Sequence, residues 1–316
     1  MRQLTLATAG FDKHSKVTRR AAFLTEMQRV VPWGELCSVV EPFYPKPGKG
    51  RPPVGLERML RIYFLQHWFN LSDPAAEEAL YDSAAMRRFV GIDLGHEPVP
   101  DETTICKFRH LLETHKLGRP LFGRVNAHLA ACGIAVSGGT IVDATIIAAP
   151  SSTKNAAKAR DPEMHQTRKG QQWYFGMKLH VGVDSRSKLI HSVATTAANV
   201  HDAKVLPDLL HGQETRVWGD QAYRGQKAII RAHAPRARDF TNRRYRYRGV
   251  VDEVERRKNR SKSHVRAKVE HSLGVIKRVF GFAKVRYRGL AKNTHHLQVM
   301  CGLANLFMVR RRLPCG

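Results

Sequence analysis

From Val54 onward, apolar positions recur at helical spacing. Leu56, Met59, Leu60, Tyr63, Phe64 and His67 fall on one stripe, the period of a helix with a buried face. Ser72 or Asp73 stands where the next helix needs a cap, with Pro74 in its first turn and Glu77 and Glu78 close behind. That helix turns Ala76, Ala79 and Leu80 inward, and Arg87 and Arg88 follow near the end of the next turn. A third helix is capped by Asp101 or Thr103 and carries the stripe Ile105, Phe108, Leu111 and Leu112. Thr104, Lys107, Arg109 and His110 lie mostly off that stripe, so Lys107 and Arg109 become candidate DNA contacts. Short helices joined by tight turns resemble a helix-turn-helix, whose second helix can enter a major groove. A helical packing domain without DNA contact has the same pattern. Residues 41–53 (EPFYPKPGKGRPP) read as a linker or arm, in which Lys46, Lys49 and Arg51 could touch a backbone.

The period changes at Gly138. GGTIVDATIIAAP is a short run of β-branched and apolar residues between Gly-Gly and Pro, a buried strand with Asp143 in its middle. The polar stretch SSTKNAAKARDPEMHQTRKGQQW reads as a loop. A hairpin follows, in which Met177, Leu179, Val181 and Val183 alternate with Lys178, His180, Gly182 and Asp184, and SRSK turns the chain back into LIHSVATT. Lys178 and His180 share a face that could approach a phosphate, although ordinary strand-edge polarity explains them as well. Asn199, His201 and Asp202 open a helix over 203–210, and a second strand, ETRVWGDQAYRG, ends in Asp220 and a Gly-terminated turn. Val265, Val269, Leu273, Ile276 and Phe280 then mark a late helix. The domain reading is an arm and linker over 1–53, a helical DNA-binding domain over 54–135, and an α/β domain over 136–316.

Charge narrows the partner. The 316 residues hold 53 Lys+Arg against 27 Asp+Glu, a net charge of +26. Residues 223–316 alone hold 25 basic and 5 acidic side chains, a net of +20, densest in RRYRYRG (243–249) and ERRKNRSKSHVRAK (255–268). Such an excess favours a polyanion, either nucleic acid or an anionic membrane surface. Arg243, Arg244 and Arg246 interleave with Tyr245 and Tyr247, which suits phosphate pairing and base stacking; a solvated basic tail is the competing reading. No run reaches the ~18 apolar residues of a membrane span, and the N-terminus lacks the apolar core of a signal peptide. Five scattered cysteines with no CxxC pair argue against a disulfide framework or a thiolate zinc site, and make a reducing cytoplasm the default.

Three acids remain. An ionised Asp143 inside an apolar strand is costly unless paired or bound to a cation. Asp220 ends a strand, where α/β sheets bind ligands. Glu270 is the only acid after Arg256, and Arg266, Glu270 and Lys277 stand four and seven residues apart, projecting in nearly one direction. Capping, a turn, or an ion pair with Arg266 would explain each acid singly. Together they suggest a divalent-metal site: Mg²⁺ takes oxygen ligands and phosphate substrates, and paired ions serve phosphodiester cleavage.

Long segments resemble a known family in unbroken order: EPFYPK, MLRIYFLQHWFNLSD, FRHLLE, VDATIIAAPSSTKN, RDPEMHQTRKGQQWYFGMKLHVGVD, TTAANVHD and RAKVEHSLGVIKRVFGFAKVRYRGL. The chain resembles bacterial insertion-sequence transposases of the DDE class, and specifically the insertion sequence five family. The resemblance implies an RNase H-like catalytic domain, a mixed five-stranded sheet with helices on both faces, preceded by an all-α helix-turn-helix-like domain. It implies that Asp143, Asp220 and Glu270 are the catalytic, metal-holding acids, with Mg²⁺ as cofactor and Mn²⁺ as substitute. The family signature Tyr-x2-Arg-x3-Glu-x6-Lys fits Arg266, Glu270 and Lys277, with Ser263 where the tyrosine would stand; Ala222 and Tyr223 fit the small and aromatic positions after the second acid. Arg266 and Lys277 would steady phosphates. The implied partners are double-stranded DNA, as terminal inverted repeats and target, and a second copy of the chain in a DNA-bound dimer. The implied location is the bacterial cytoplasm, at the nucleoid. A non-enzymatic DNA-binding regulator and a plain nuclease of the same fold are the rival readings.

Overall fold

The computed structural model describes residues 16–313 except 49, 51, 135 and 157. Lys49 and Arg51 therefore lie outside the described residues. The first half is helical: α1 Arg19–Val30, α2 Trp33–Val40, α3 Leu56–Phe69, α4 Asp73–Asp82, α5 Ala84–Val90, α6 Glu102–Thr114 and α7 Gly118–Ala131. Residues 19–40, expected within an arm, instead form α1 and α2, which bury Leu24, Met27, Leu36 and Val40 in the shared core. The linker is pinned as well. The Tyr44 hydroxyl donates to the Val54 carbonyl at 2.5 Å, and the Phe43 ring stacks on His115 at 4.4 Å.

The helix over α3 is present, but its buried surface is wider than one stripe. Every residue from Met59 to Trp68 is buried, including Arg61 and Gln66. Buried all round, α3 acts as an axis for its neighbours. The caps fall at expected positions: the Ser72 hydroxyl accepts from the Ala75 N–H at 3.2 Å, and the Asp101 carboxylate from the Thr104 N–H at 2.6 Å. Ser72→Ala leaves that N–H without its side-chain acceptor and is expected to cost about 1 kcal/mol, read as a lowered denaturation midpoint with an unchanged slope.

The second half is built on a mixed sheet: β1 Gly139–Ala148, β2 His165–Lys169, β3 Gln172–Asp184, β4 Ile190–Ala197, then α8 Leu206–Leu209, β5 Arg216–Trp218, α9 Lys227–His233 and β6 Arg238–Asp239. Across the sheet the order is β4–β3–β1–β5–β6, and β2 pairs with β3 beside β4. β3 runs antiparallel to β1 and β4, whereas β5 and β6 run parallel to β1. Alternation along β1 divides the core. Val142 joins Val217, Tyr223 and the α8–α9 side chains on one face; Ile141 and Ile147 join the larger cluster on the other. Asp184 shapes the β3–β4 turn by accepting from the N–H groups of Ser137 at 2.8 Å, Arg186 at 3.0 Å and Ser187 at 2.6 Å.

Two segments depart from the sequence reading. The stretch read as a loop over 151–173 contains β2 and the start of β3. The basic run holds a separate hairpin, β7 Arg246–Tyr247 and β8 Val250–Val251, closed by Arg248 and Gly249, both at positive φ (46° and 85°). Such a two-residue loop matches the twist of hairpin strands. The chain continues as α10 Glu253–Arg266, α11 Lys268–Gly274 and α12 Leu290–Val309.

α12 ties the halves together. It is buried along most of its length and packs on α7 and β4. Its Asn305 carboxamide accepts from the Ile190 N–H at 2.8 Å, and donates to the Ile190 carbonyl at 2.7 Å and to Asn126 Oδ1 at 2.8 Å. Among the described residues, no helix is long and apolar enough to cross a membrane.

Candidate active site

Asp143 sits midway along β1, between the buried Thr140–Val142 and the half-buried Ala144–Ile146, a run rich in β-branched strand formers. β5 pairs with β1 in parallel register through Ile141↔Trp218. Two residues beyond that pair, the adjacent chains carry Asp143 and Asp220. Gly219 allows the close approach: a Cβ there would lie 3.0 Å from the Tyr223 ring and 3.1 Å from Val142. Asp220 then caps a 3-10 turn over Gln221–Tyr223, accepting from the Ala222 N–H at 2.9 Å.

Burial pushes the Asp143 carboxyl up to about 6. The Arg266 charge and the Ala144 N–H, which donates to Asp143 Oδ1 at 2.9 Å, pull the other way, while the neighbouring Asp220 charge adds to the rise and Lys169 opposes it. Asp143 is thus a carboxylate withdrawn from water and set beside a second one, with too little compensation to restore ordinary acidity. An oxygen-seeking cation would supply the missing charge. Donor type and electrostatics both fit Mg²⁺.

Cations surround the pair. Arg266 ends α10, and its Nε is buried without a hydrogen-bond partner among the described residues. Lys277 donates from Nζ to Thr145 Oγ1 at 3.0 Å and to the Ile146 carbonyl at 2.8 Å, tying the late helical segment to β1. Burial, aided by the Lys169 charge, lowers its affinity for a proton. Lys169, at the end of β2, was not singled out from the sequence. The basic pair Arg168-Lys169 before Gly170 was the available signal.

Glu270 is placed differently from its expected partners. The expected continuous helix breaks at Ala267 between α10 and α11, and residues Val275–Val279 widen into a π-helix. These changes of pitch interrupt the regular 3.6-residue period that would align the three side chains. Arg266 and Lys277 are half-buried, whereas Glu270 is exposed. Among the described residues, no group of three or more His, Cys, Asp or Glu side chains is disposed to hold a metal ion. Asp143 on β1 and Asp220, just past the end of β5, stand at the β1–β5 junction, and Glu270 is exposed on α11.

The remaining candidates divide by exposure. Arg243, Arg244 and Arg246 are exposed and Tyr245 is half-buried. The buried Asn259 of α10 holds the stem of the β7–β8 hairpin, accepting from the Arg243 N–H at 3.1 Å and donating to its carbonyl at 2.7 Å. Lys107 is exposed on α6. Arg109, expected off the apolar stripe, is buried instead: it donates to Asp73 at 2.8 Å and Glu113 at 3.0 Å, and lies over the Tyr287 ring at 4.5 Å. Its charge is consumed inside the fold, so it is not a DNA-facing group. Lys178 pairs with Asp202 at 2.7 Å, and His180 Nε2 lies 2.9 Å from Thr196 Oγ1.

Comparison with known families gives two matches. Residues 135–306 match the family described as "Transposase DDE domain". Residues 11–111 match the family described as "Transposase domain (DUF772)". A comparison with solved structures finds no match.

Proposed function

The chain belongs to the transposase DDE domain family, and from that premise we propose that it moves a bacterial insertion sequence of the insertion sequence five family, cutting the element's ends and joining them to target DNA. The observation that carries this reading is the side-by-side placement of Asp143 and Asp220 at the β1–β5 junction, with Arg266, Lys169 and Lys277 around them. The sheet order, three antiparallel strands followed by two parallel ones, supports an RNase H-like fold for residues 136–316.

In this reading Asp143 and Asp220 would hold Mg²⁺, or Mn²⁺ in its place, and Glu270 would join them by turning in from the exposed side of α11. When bound, the metal lowers the pKa of water and offsets charge on a phosphodiester. Arg266 supplies a half-buried guanidinium whose Nε has no acceptor among the described residues, suited to a non-bridging phosphate oxygen. Lys277 holds β1 to the late helix and keeps Asp143 at a fixed depth. The arginines of the β7–β8 hairpin bind the DNA backbone without reading its bases, an interaction that weakens steeply with salt. Terminal repeats engage the helical region, and two copies of the chain hold the two ends.

The test incubates the protein with donor DNA carrying the element's own ends, a target plasmid and Mg²⁺. Joined products are expected. Nicks without joining would indicate a nuclease, and binding without metal-dependent cleavage would indicate a regulator.

A further inference from the structure

Trp173 is 64% exposed, whereas Trp33, Trp68 and Trp218 are buried. A tryptophan left in water at a hairpin tip contributes little to its own fold. It lies on β3 opposite Arg168 of β2, next to a turn in which Gly170 takes a positive φ of 62°. Arg168 is held in place by donating to the Gly170 carbonyl at 3.0 Å and to Gln171 Oε1 at 2.5 Å. No acidic residue occurs between Glu163 and Asp184, so the tip is cationic throughout.

The tip also belongs to the neighbourhood of the acids. Trp173, Phe175, Met177, Leu179 and Val181 alternate onto one face of β3, and Val181 pairs directly with Asp143. On a straight strand, Lys169 would stand nine residues from that level, about 30 Å away at ~3.3 Å per residue. A charge so distant would be screened out. Yet the Lys169 ammonium acts on both Asp143 and Lys277. The Lys169 charge therefore reaches the level of these two groups, and β3 passes so close to β1 that a Cβ on Gly176 would meet the Ile147 carbonyl at 2.1 Å.

We propose that Trp173 is a stacking platform for an unpaired base of the DNA end presented to Asp143 and Asp220, with Arg168 and Lys169 on the flanking phosphates. The occupant is a nucleobase rather than a protein surface, because a two-stranded tip offers one ring between cations and no apolar patch around it. Every base offers a π-face to such a ring, and stacking of this kind is sequence-tolerant. The inference rests on the reading of the chain as a DNA-processing transposase.

The test uses the full chain, a chelator to prevent cleavage, and two probes: a blunt duplex and the same duplex with a short single-stranded 3′ overhang. The overhang is expected to quench tryptophan fluorescence in the wild type, and Trp173→Phe should remove that quench while keeping most of the affinity. Trp173→Ala should weaken overhang binding about tenfold and leave blunt-duplex binding unchanged, with an unaltered melting temperature. Equal loss on both probes, or no loss on either, overturns the proposal. This readout is independent of joining: failure of the joining assay with selective overhang loss intact would reject transposition and leave the stacking site standing.

Discussion

Asp143→Asn is expected to reduce Mg²⁺-dependent cleavage of element ends on the order of a thousandfold, and at the same time to make the protein more stable above pH 6. The first effect follows from the proposed site. Losing this half-buried carboxylate removes several kcal/mol of charge stabilisation from the transition state, and gel assays of end cleavage measure it directly. The second follows from linkage. The Asp143 carboxyl is raised by burial from 3.8 to about 6, so folding favours its protonated form. That preference does not destabilise the fold below pH 4, develops as pH rises through about 6, and then costs about 3 kcal/mol. The neutral amide avoids that cost. Melts of the two proteins should coincide near pH 4 and separate by pH 8, the variant melting higher. Mg²⁺ should raise the melting temperature of the wild type and leave Asp143→Asn nearly unmoved. A variant that cleaves normally would remove Asp143 from the site, and coincident melts at pH 8 would show that its charge is not buried at a cost.

The second large effect lies far from the acids. Arg109→Ala is expected to destabilise the fold by about 3 kcal/mol, because it strands two carboxylates whose side chains are only 17% and 11% exposed. Burial alone would push the Asp73 carboxyl up; hydrogen bonds from Arg109 and Gln66 more than reverse this and hold it below its ordinary value. A depressed carboxyl contributes stability above its unfolded pKa and loses it as pH falls through the folded one. Removing Arg109 therefore takes away stability at neutral pH and makes the remaining acid sensitivity shallower. Urea denaturation at pH 7 and pH 3 would show this. An Arg109→Ala protein as stable as wild type but deficient in DNA binding would restore the surface role that the sequence pattern suggested.

Why that pattern misled is instructive. The residues Ile105, Phe108 and Leu112 fix the inward stripe of α6, and a charged neighbour is normally turned outward. Arg109 goes inward because Asp73 and Glu113 meet it there, and the one across the chain is invisible to local periodicity. The strands β1, β3 and β4 were legible because apolar residues alternate or run unbroken. β2 was not, since HQTRK is polar on both faces of an edge and gives no period at all. β7 hides for the same reason, with Arg and Tyr filling positions that elsewhere hold Val and Ile, and its partner β8 is only two valines long. The break at Ala267 carries neither Gly nor Pro, so an unbroken 3.6-residue period runs through Arg266, Glu270 and Lys277, whereas the helix changes pitch and Glu270 alone of the three is exposed. Asp143 and Asp220 were visible because each interrupts or ends an apolar strand.

The placement of α12 has a consequence for how the molecule is made. Residues 290–309 form the surface on which the early helices and β4 both rest, yet they are synthesised after every element they support. Helices that emerge first must wait with their apolar sides uncovered, and the sheet must wait with one face open. Completion of the fold is therefore a late event in translation. A chain cut short before residue 290 would lose not a terminal ornament but the common seat of both halves, and should be insoluble rather than partially active.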